Sequence, residues 1–120
     1  MDLTARSSTV GSSRAVLSLS GEVDLATIPK LHDALTRWLA SVSPMSTVFV
    51  DLDGVYVCDD SGLGVLLGAA GRARHAGGEL VVVCSPGRLR ERLALTGFDR
   101  AVSVVSSLAA ADATSVNTAD

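Results

Sequence analysis

A chain of 120 residues with a net charge of −3 and a pI near 5.2 lacks the clustered Lys and Arg that binding nucleic acid demands. Hydrophobic residues make up 48% but aromatics only 3%, so the core must be assembled from Val, Leu and Ala, as in a sheet with small-residue helices packed close on it. No apolar run reaches the roughly 18 residues needed to span a bilayer, so no membrane insertion is expected.

The length fits one domain spanning residues 1–120, which buries roughly two-thirds of its unfolded surface and needs neither disulfide nor metal to fold. The start, Met1-Asp2-Leu3-Thr4-Ala5-Arg6, lacks the charged opening and apolar stretch of a signal peptide, and the chain is expected to be cytoplasmic. Its two cysteines, Cys58 and Cys84, adjoin strand-like sequence and read as small buried hydrophobes of a reducing compartment. No Cys/His cluster has metal-ligand spacing, so no metal or cofactor is expected. His32 and His75 read as exposed helix residues.

In chain order, residues 1–13 read as an edge strand with a turn at Gly11-Ser12-Ser13. Arg14–Ser20 is a strand, followed by a loop at Gly21-Glu22-Val23-Asp24. A helix begins near Thr27 as N-cap, with Pro29 in its first turn. Leu31, Ala34, Leu35, Trp38 and Leu39 repeat at helical spacing on its inner side, with Lys30, Asp33 and Arg37 outside. Pro44 bounds it. Thr47–Leu52 is a buried strand. Asp60 or Ser61 opens a second helix carrying Leu63, Leu66, Leu67, Ala70 and Ala73, which stops at Gly77-Gly78. Glu79–Cys84 is a continuous apolar strand of the central, parallel kind. Ser85-Pro86 caps a third helix with Leu89 and Leu93 inward and Arg88, Arg90 and Arg92 outward. Gly97 ends it, with Phe98 packing behind. Ala101–Val105 is a last strand, 108–113 a short helix, and 115–120 a frayed tail. Single helices between strands predict right-handed crossovers and a mostly parallel sheet of four to five strands with about four helices.

The informative stretch is Cys58-Asp59-Asp60-Ser61-Gly62-Leu63-Gly64, where a strand ends and a helix begins. Such junctions present unpaired N–H groups and the positive end of a helix dipole. Asp51-Leu52-Asp53-Gly54-Val55 resembles the opening motif of haloacid-dehalogenase-type phosphatases, but their downstream lysine is missing: the one lysine, Lys30, lies upstream. Asp51 and Asp59 are also only eight residues apart, too close for an intervening crossover. A response-regulator receiver fails on the same missing lysine. No enzyme is expected. A helix cap alone leaves Asp59 and the first-turn glycines Gly62 and Gly64 unexplained. Glycines there keep bulk low so that a partner can approach the backbone.

Gly21-Glu22-Val23-Asp24, then Asp59 to Leu67, then Gly77-Gly78-Glu79-Leu80, then Ser85-Pro86 and Leu95-Thr96-Gly97-Phe98 resemble, in order and spacing, a STAS domain. The closest likeness is to the anti-sigma factor antagonists (anti-anti-sigma factors), over about residues 14 to 110. The resemblance implies an α/β STAS fold that binds an anti-sigma factor, itself a serine protein kinase, and frees a sigma factor to promote transcription. In that family the kinase phosphorylates a hydroxyl residue at the start of the second helix, which breaks the complex, and a phosphatase restores it. Aligned on the glycine, that position is Asp60 here. Asp59 matches the family's Asp and Ser61 its second hydroxyl residue. Two expectations follow. Asp60 is a permanent phosphomimic charge and the chain ignores the kinase, or Ser61 accepts the phosphate. The expected partner-binding residues are Glu22, Asp24, Asp59, Asp60, Ser61, Gly62, Leu63 and Gly64. The other class the resemblance leaves open is a stand-alone STAS subunit of an ABC-type transport or lipid-trafficking complex.

Overall fold

The structure is a computed structural model that describes residues 2–10 and 14–111. Five strands form one sheet in the order β1 (Leu3–Val10), β2 (Arg14–Val23), β3 (Thr47–Cys58), β4 (Glu79–Val83) and β5 (Ser103–Val105). β1 lies antiparallel to β2 at the edge, and the remaining pairs are parallel. Helix α1 (Ile28–Ser41) joins β2 to β3, α2 (Asp60–His75) joins β3 to β4, and α3 (Arg88–Leu95) with α4 (Phe98–Ala101) joins β4 to β5. Residues 108–111 make a further helical turn. The expected mixed, mostly parallel α/β sheet is what the chain adopts. The turn at 11–13, the end of the expected last helix and the 115–120 tail lie outside the described residues.

Alternate strand residues point to opposite faces, and the burial follows that period. Val48, Val50, Leu52, Leu80 and Val82 face the main core with Leu31, Leu35 and Trp38 of α1 and Leu63, Leu66, Ala70 and Ala73 of α2. Phe49, Val16 and Val83 face the other side, where they pack with Ala111 and Arg14 stands 5.1 Å from the Phe49 ring. Ala69, Ala70 and Ala73 let α2 lie close to the sheet, as the aromatic-poor composition requires. Leu67 departs from the expected inner stripe and is exposed.

Several boundaries differ from the sequence expectation for tertiary reasons. The segment Gly21–Val23 is not a loop but the end of β2, paired with Val55, Val57 and Cys58 across two register shifts. Gly21 sits at φ 109°, and a Cβ there would meet the Asp2 carbonyl at 2.2 Å, so this break in the pleat requires glycine. Thr27 does precede α1, but its hydroxyl turns backward, donating to Glu22 O at 2.9 Å rather than capping the helix. Ser85-Pro86 does not cap α3, whose preceding residue is Gly87; Ser85 bonds Asp53 instead. Phe98 to Ala101 is helical and the last strand starts only at Ser103. Arg90 and Arg92 are half-buried and held by backbone carbonyls rather than fully solvated. Arg90 donates to the carbonyls of Cys84 and Val104, and Arg92 to that of Cys58.

Candidate functional site

Strand β3 is longer than its neighbour β4, which pairs only with Thr47–Asp51. Beyond that point β3 keeps β2 on one side, and on the other its exposed polar groups need partners from elsewhere. Asp53 accepts the Ser85 N–H at 2.7 Å and its hydroxyl at 2.9 Å. Arg92 Nε donates to Cys58 O at 2.7 Å. The overhang carries the start of α2 to the surface.

There the Asp59 N–H donates to Val23 O at 3.0 Å, which ties the junction to the end of β2. The N-cap is Asp59, not Asp60 or Ser61. Its Oδ1 accepts the Gly62 N–H at 3.2 Å and the Ser61 hydroxyl at 2.5 Å. These bonds stabilise the ionised form. The Ser61 hydroxyl first, and then the Gly62 N–H, hold the Asp59 carboxyl below the ordinary value of 3.8. Asp60, in the first turn, presents an exposed carboxylate that ion-pairs with the Arg92 guanidinium.

Cys58 is buried beneath this turn, and burial is the main reason its thiol is pushed up to about 11. Asp59 and Asp60 add to that rise while Arg92 opposes it. The acidic neighbours therefore raise it but are not the leading cause.

The register places Glu22 beside Val57 and Val23 beside Cys58, so the two acidic segments that are distant in sequence meet at the carboxyl edge of the sheet. Asp24 Oδ1 accepts the Thr27 N–H at 3.1 Å, and Thr27 Oγ1 accepts the Asp24 N–H at 3.0 Å. Glu22 accepts the Tyr56 hydroxyl at 3.2 Å, and its charge raises the Tyr56 pKa. Asp59 and Ser61 are half-buried and Asp60 is exposed. Gly62 and Leu63 are buried, and Leu63 lies at the floor of the depression beside Asp60. A Cβ on Gly62 would stand 2.2 Å from Val23 Cγ1, so this glycine serves helix–strand packing. Gly64 has nothing within 4 Å of such a Cβ and remains open to an approaching surface.

Sequence reasoning missed the apolar rim. Leu25 is exposed in the turn after β2, Tyr56 and Val57 near the end of β3, Leu67 on α2 and Leu95 at the end of α3. Leu67 shares a shallow 430 Å³ depression with Asp60, Gly64 and Thr96. It also missed Arg92, because an arginine at that helical spacing carries no sign of its partner. The arrangement is an internally hydrogen-bonded acidic turn with an exposed carboxylate, and apolar Leu67 lies beside it. Among the described residues no cluster of His, Cys, Asp or Glu is disposed to hold a metal ion, and no helix is long and apolar enough to cross a membrane.

A family model described as "Mlab, STAS domain" matches residues 8–114. The crystal structure of an anti-sigma factor antagonist from Mycobacterium paratuberculosis superposes with a TM-score of 0.79 at 26% identity, covering 96% of this chain and 93% of that one. The anti-sigma factor antagonist SpoIIAA, in its unphosphorylated form, superposes with a TM-score of 0.68 at 17% identity, over 92% of this chain and 96% of that one. The phosphorylated form of SpoIIAA, described as a Bacillus cell fate determinant, gives 0.62 at 17% identity, over 92% and 99%. At that identity SpoIIAA shares the fold. Comparison with curated proteins finds no match.

Proposed function

The chain belongs to the STAS domain family, and from that premise we propose that it is a cytoplasmic, non-catalytic, single-domain anti-sigma factor antagonist. It docks through the acidic turn onto an anti-sigma factor of the serine-kinase type and so releases a sigma factor. The observation that carries this reading is the near-complete match to the Mycobacterium antagonist at 26% identity. The site agrees with it in kind. Exposed Leu67 beside the open Asp60 carboxylate suits a macromolecular face, which mixes apolar and polar surface.

Of the two regulatory expectations, the geometry favours fixed charge at Asp60. Ser61 Oγ is engaged by Asp59 at 2.5 Å. A phosphate on Ser61 would set about −1.5 to −2 charges against that carboxylate and break the cap. Asp60 needs no modification, and Arg92 offsets part of its charge. A phosphatase then has no substrate on this chain.

The test is to capture the partner with the full chain, identify it, and measure binding by calorimetry. The captured anti-sigma factor is expected to bind one-to-one and, with ATP, to leave the intact mass of the wild type unchanged. Asp60→Ser is expected to gain one phosphate and to change affinity by about an order of magnitude. Phosphate mapped to Ser61 in the wild type overturns the fixed-charge reading. The family resemblance leaves open a second class, a stand-alone STAS subunit of an ABC-type transport or lipid-trafficking complex. Capture of a transporter ATPase, with direct binding and no anti-sigma factor, decides for that class.

A further inference from the structure

At the far end of α2 from the acidic turn, about 18 Å along the helix axis from Asp60 to Arg72, lies a groove of 370 Å³. It opens between the C-terminal ends of α1 and α2, under the 42–46 connection. We propose that this groove is a binding site for a medium-chain acyl carboxylate. Its volume falls in the range of small-molecule sites, which pair apolar walls with a few placed polar groups.

Leu39, Val42, Met45, Val48, Ala73 and Ala76 supply the apolar wall. Arg72 is the one charged residue lining it, and among the described residues its guanidinium makes no hydrogen bond or ion pair. The one charge among the lining side chains is therefore a cation, and it is a donor. The last carbonyls of α2 are already taken: Arg72 O by the Ala76 N–H, Ala73 O by Gly78 and Arg74 O by Gly77, at 2.9 to 3.1 Å. A head group seated beside Arg72 meets its guanidinium fork and the hydroxyls of Thr36 and Ser43, and the cation favours an anionic acceptor. A carboxylate matches a guanidinium in charge and in two-point geometry.

The groove is shaped by close backbone approach. A Cβ on Gly78 would stand 2.3 Å from Ser46 O, and one on Gly77 would stand 3.0 Å from Met45 Cγ. Met45 itself holds φ 68°, which is unusual for a bulky side chain, and is 77% exposed at the lip. An acyl chain in the groove would cover apolar surface that water now wets.

The experiment is an amide-resolved NMR titration of the full chain with decanoate, decanol and decyltrimethylammonium, each below its micelle concentration. Decanoate is expected to shift the amides of residues 39–46 and 73–78 saturably and to leave those of 59–64 in place. Decanol is expected to bind about tenfold more weakly and the cation not at all. Arg72→Gln is expected to reduce decanoate binding about tenfold, to the level of decanol. Ala76→Phe, at an exposed position, is expected to fill the groove and abolish binding with the melting temperature unchanged. Absence of saturable shifts, equal binding of the ammonium, or indifference to Arg72→Gln overturns the proposal. Concentration-dependent shifts of the same amides without ligand, the mark of a second copy seated there, overturn it too.

Discussion

The two ends of α2 are held by different physics. At the N-terminus polar atoms do the holding: Asp59 takes Gly62 and Ser61, Asp60 takes Arg92, and the Asp59 N–H takes Val23 O. At the C-terminus the fit is steric. Gly77 and Gly78 carry no side chain because Met45 and Ser46 O occupy the space. Bonds to charged groups leave a surface that is rigid, open and readable by a partner's own charges. Close approach of bare backbone leaves a concave apolar surface instead. One helix thus carries two ends of different character, one held by polar bonds and one by steric fit.

The comparison can be broken most sharply at glycines. Gly62→Ala and Gly78→Ala each add a methyl at 2.2 to 2.3 Å from another atom. Each is expected to destabilise the chain by about 1–3 kcal/mol in urea unfolding, the usual cost of overpacking. Gly64→Ala, one half-turn from Gly62 and facing open space, is expected to stabilise by up to about 1 kcal/mol through helix propensity. If Gly62→Ala and Gly64→Ala behave alike, the packing account of this turn fails.

Asp59→Ala comes next. It removes the N-cap and both of its bonds, and its unfolding midpoint is expected to fall by less than that of Gly62→Ala. The same cap has a pH signature. The folded Asp59 pKa is depressed, so its stabilising contribution is fully present above the unfolded value near 3.8 and is lost as pH falls through the lower folded value. Carbon-detected titration of the carboxyl is expected to show Asp59 below 3.8 in the wild type and higher in Ser61→Ala. An unmoved midpoint in that variant would show that the hydroxyl is not the leading cause.

Smaller effects belong to Arg92. Its pair with Asp60 is solvent-exposed on the Asp side, and such pairs contribute little. Arg92→Met is therefore expected to shift the unfolding midpoint less than Asp59→Ala does. Arg92 opposes the rise of the Cys58 thiol, so the variant is expected to raise that pKa further above about 11. Cys58 is expected to react slowly with a thiol reagent at neutral pH in the wild type, and more slowly still in Arg92→Met. Rapid labelling of the folded wild type would show that the thiol is not buried as described.

Much of the architecture was legible from residue patterns. The 3.6-residue repeat through Leu31, Leu35 and Trp38 marked α1, the apolar run Leu80-Val81-Val82-Val83 marked a central strand, and Gly77 marked the end of α2. Local pattern failed where a distant segment supplied the partner. Gly21–Val23 reads as a turn by composition but is strand because β3 lies alongside it. Ser85 reads as a cap but is claimed by Asp53. In the site, Asp59, Asp60 and Ser61 were found by residue type and spacing. The inward role of Gly62, the counterion Arg92 and the apolar rim were not, since each depends on a neighbour 25 or more residues away.

By itself the sequence determined the succession of strands and helices, the aromatic-poor core, and the acidic turn at the head of α2, because periodicity, capping chemistry and charge are local properties. Tertiary structure alone decided which glycine is packed and which is open, which arginine meets Asp60, and where the groove lies. Those outcomes depend on the positions of atoms brought together by strand register and helix docking, and no short window of sequence contains both partners.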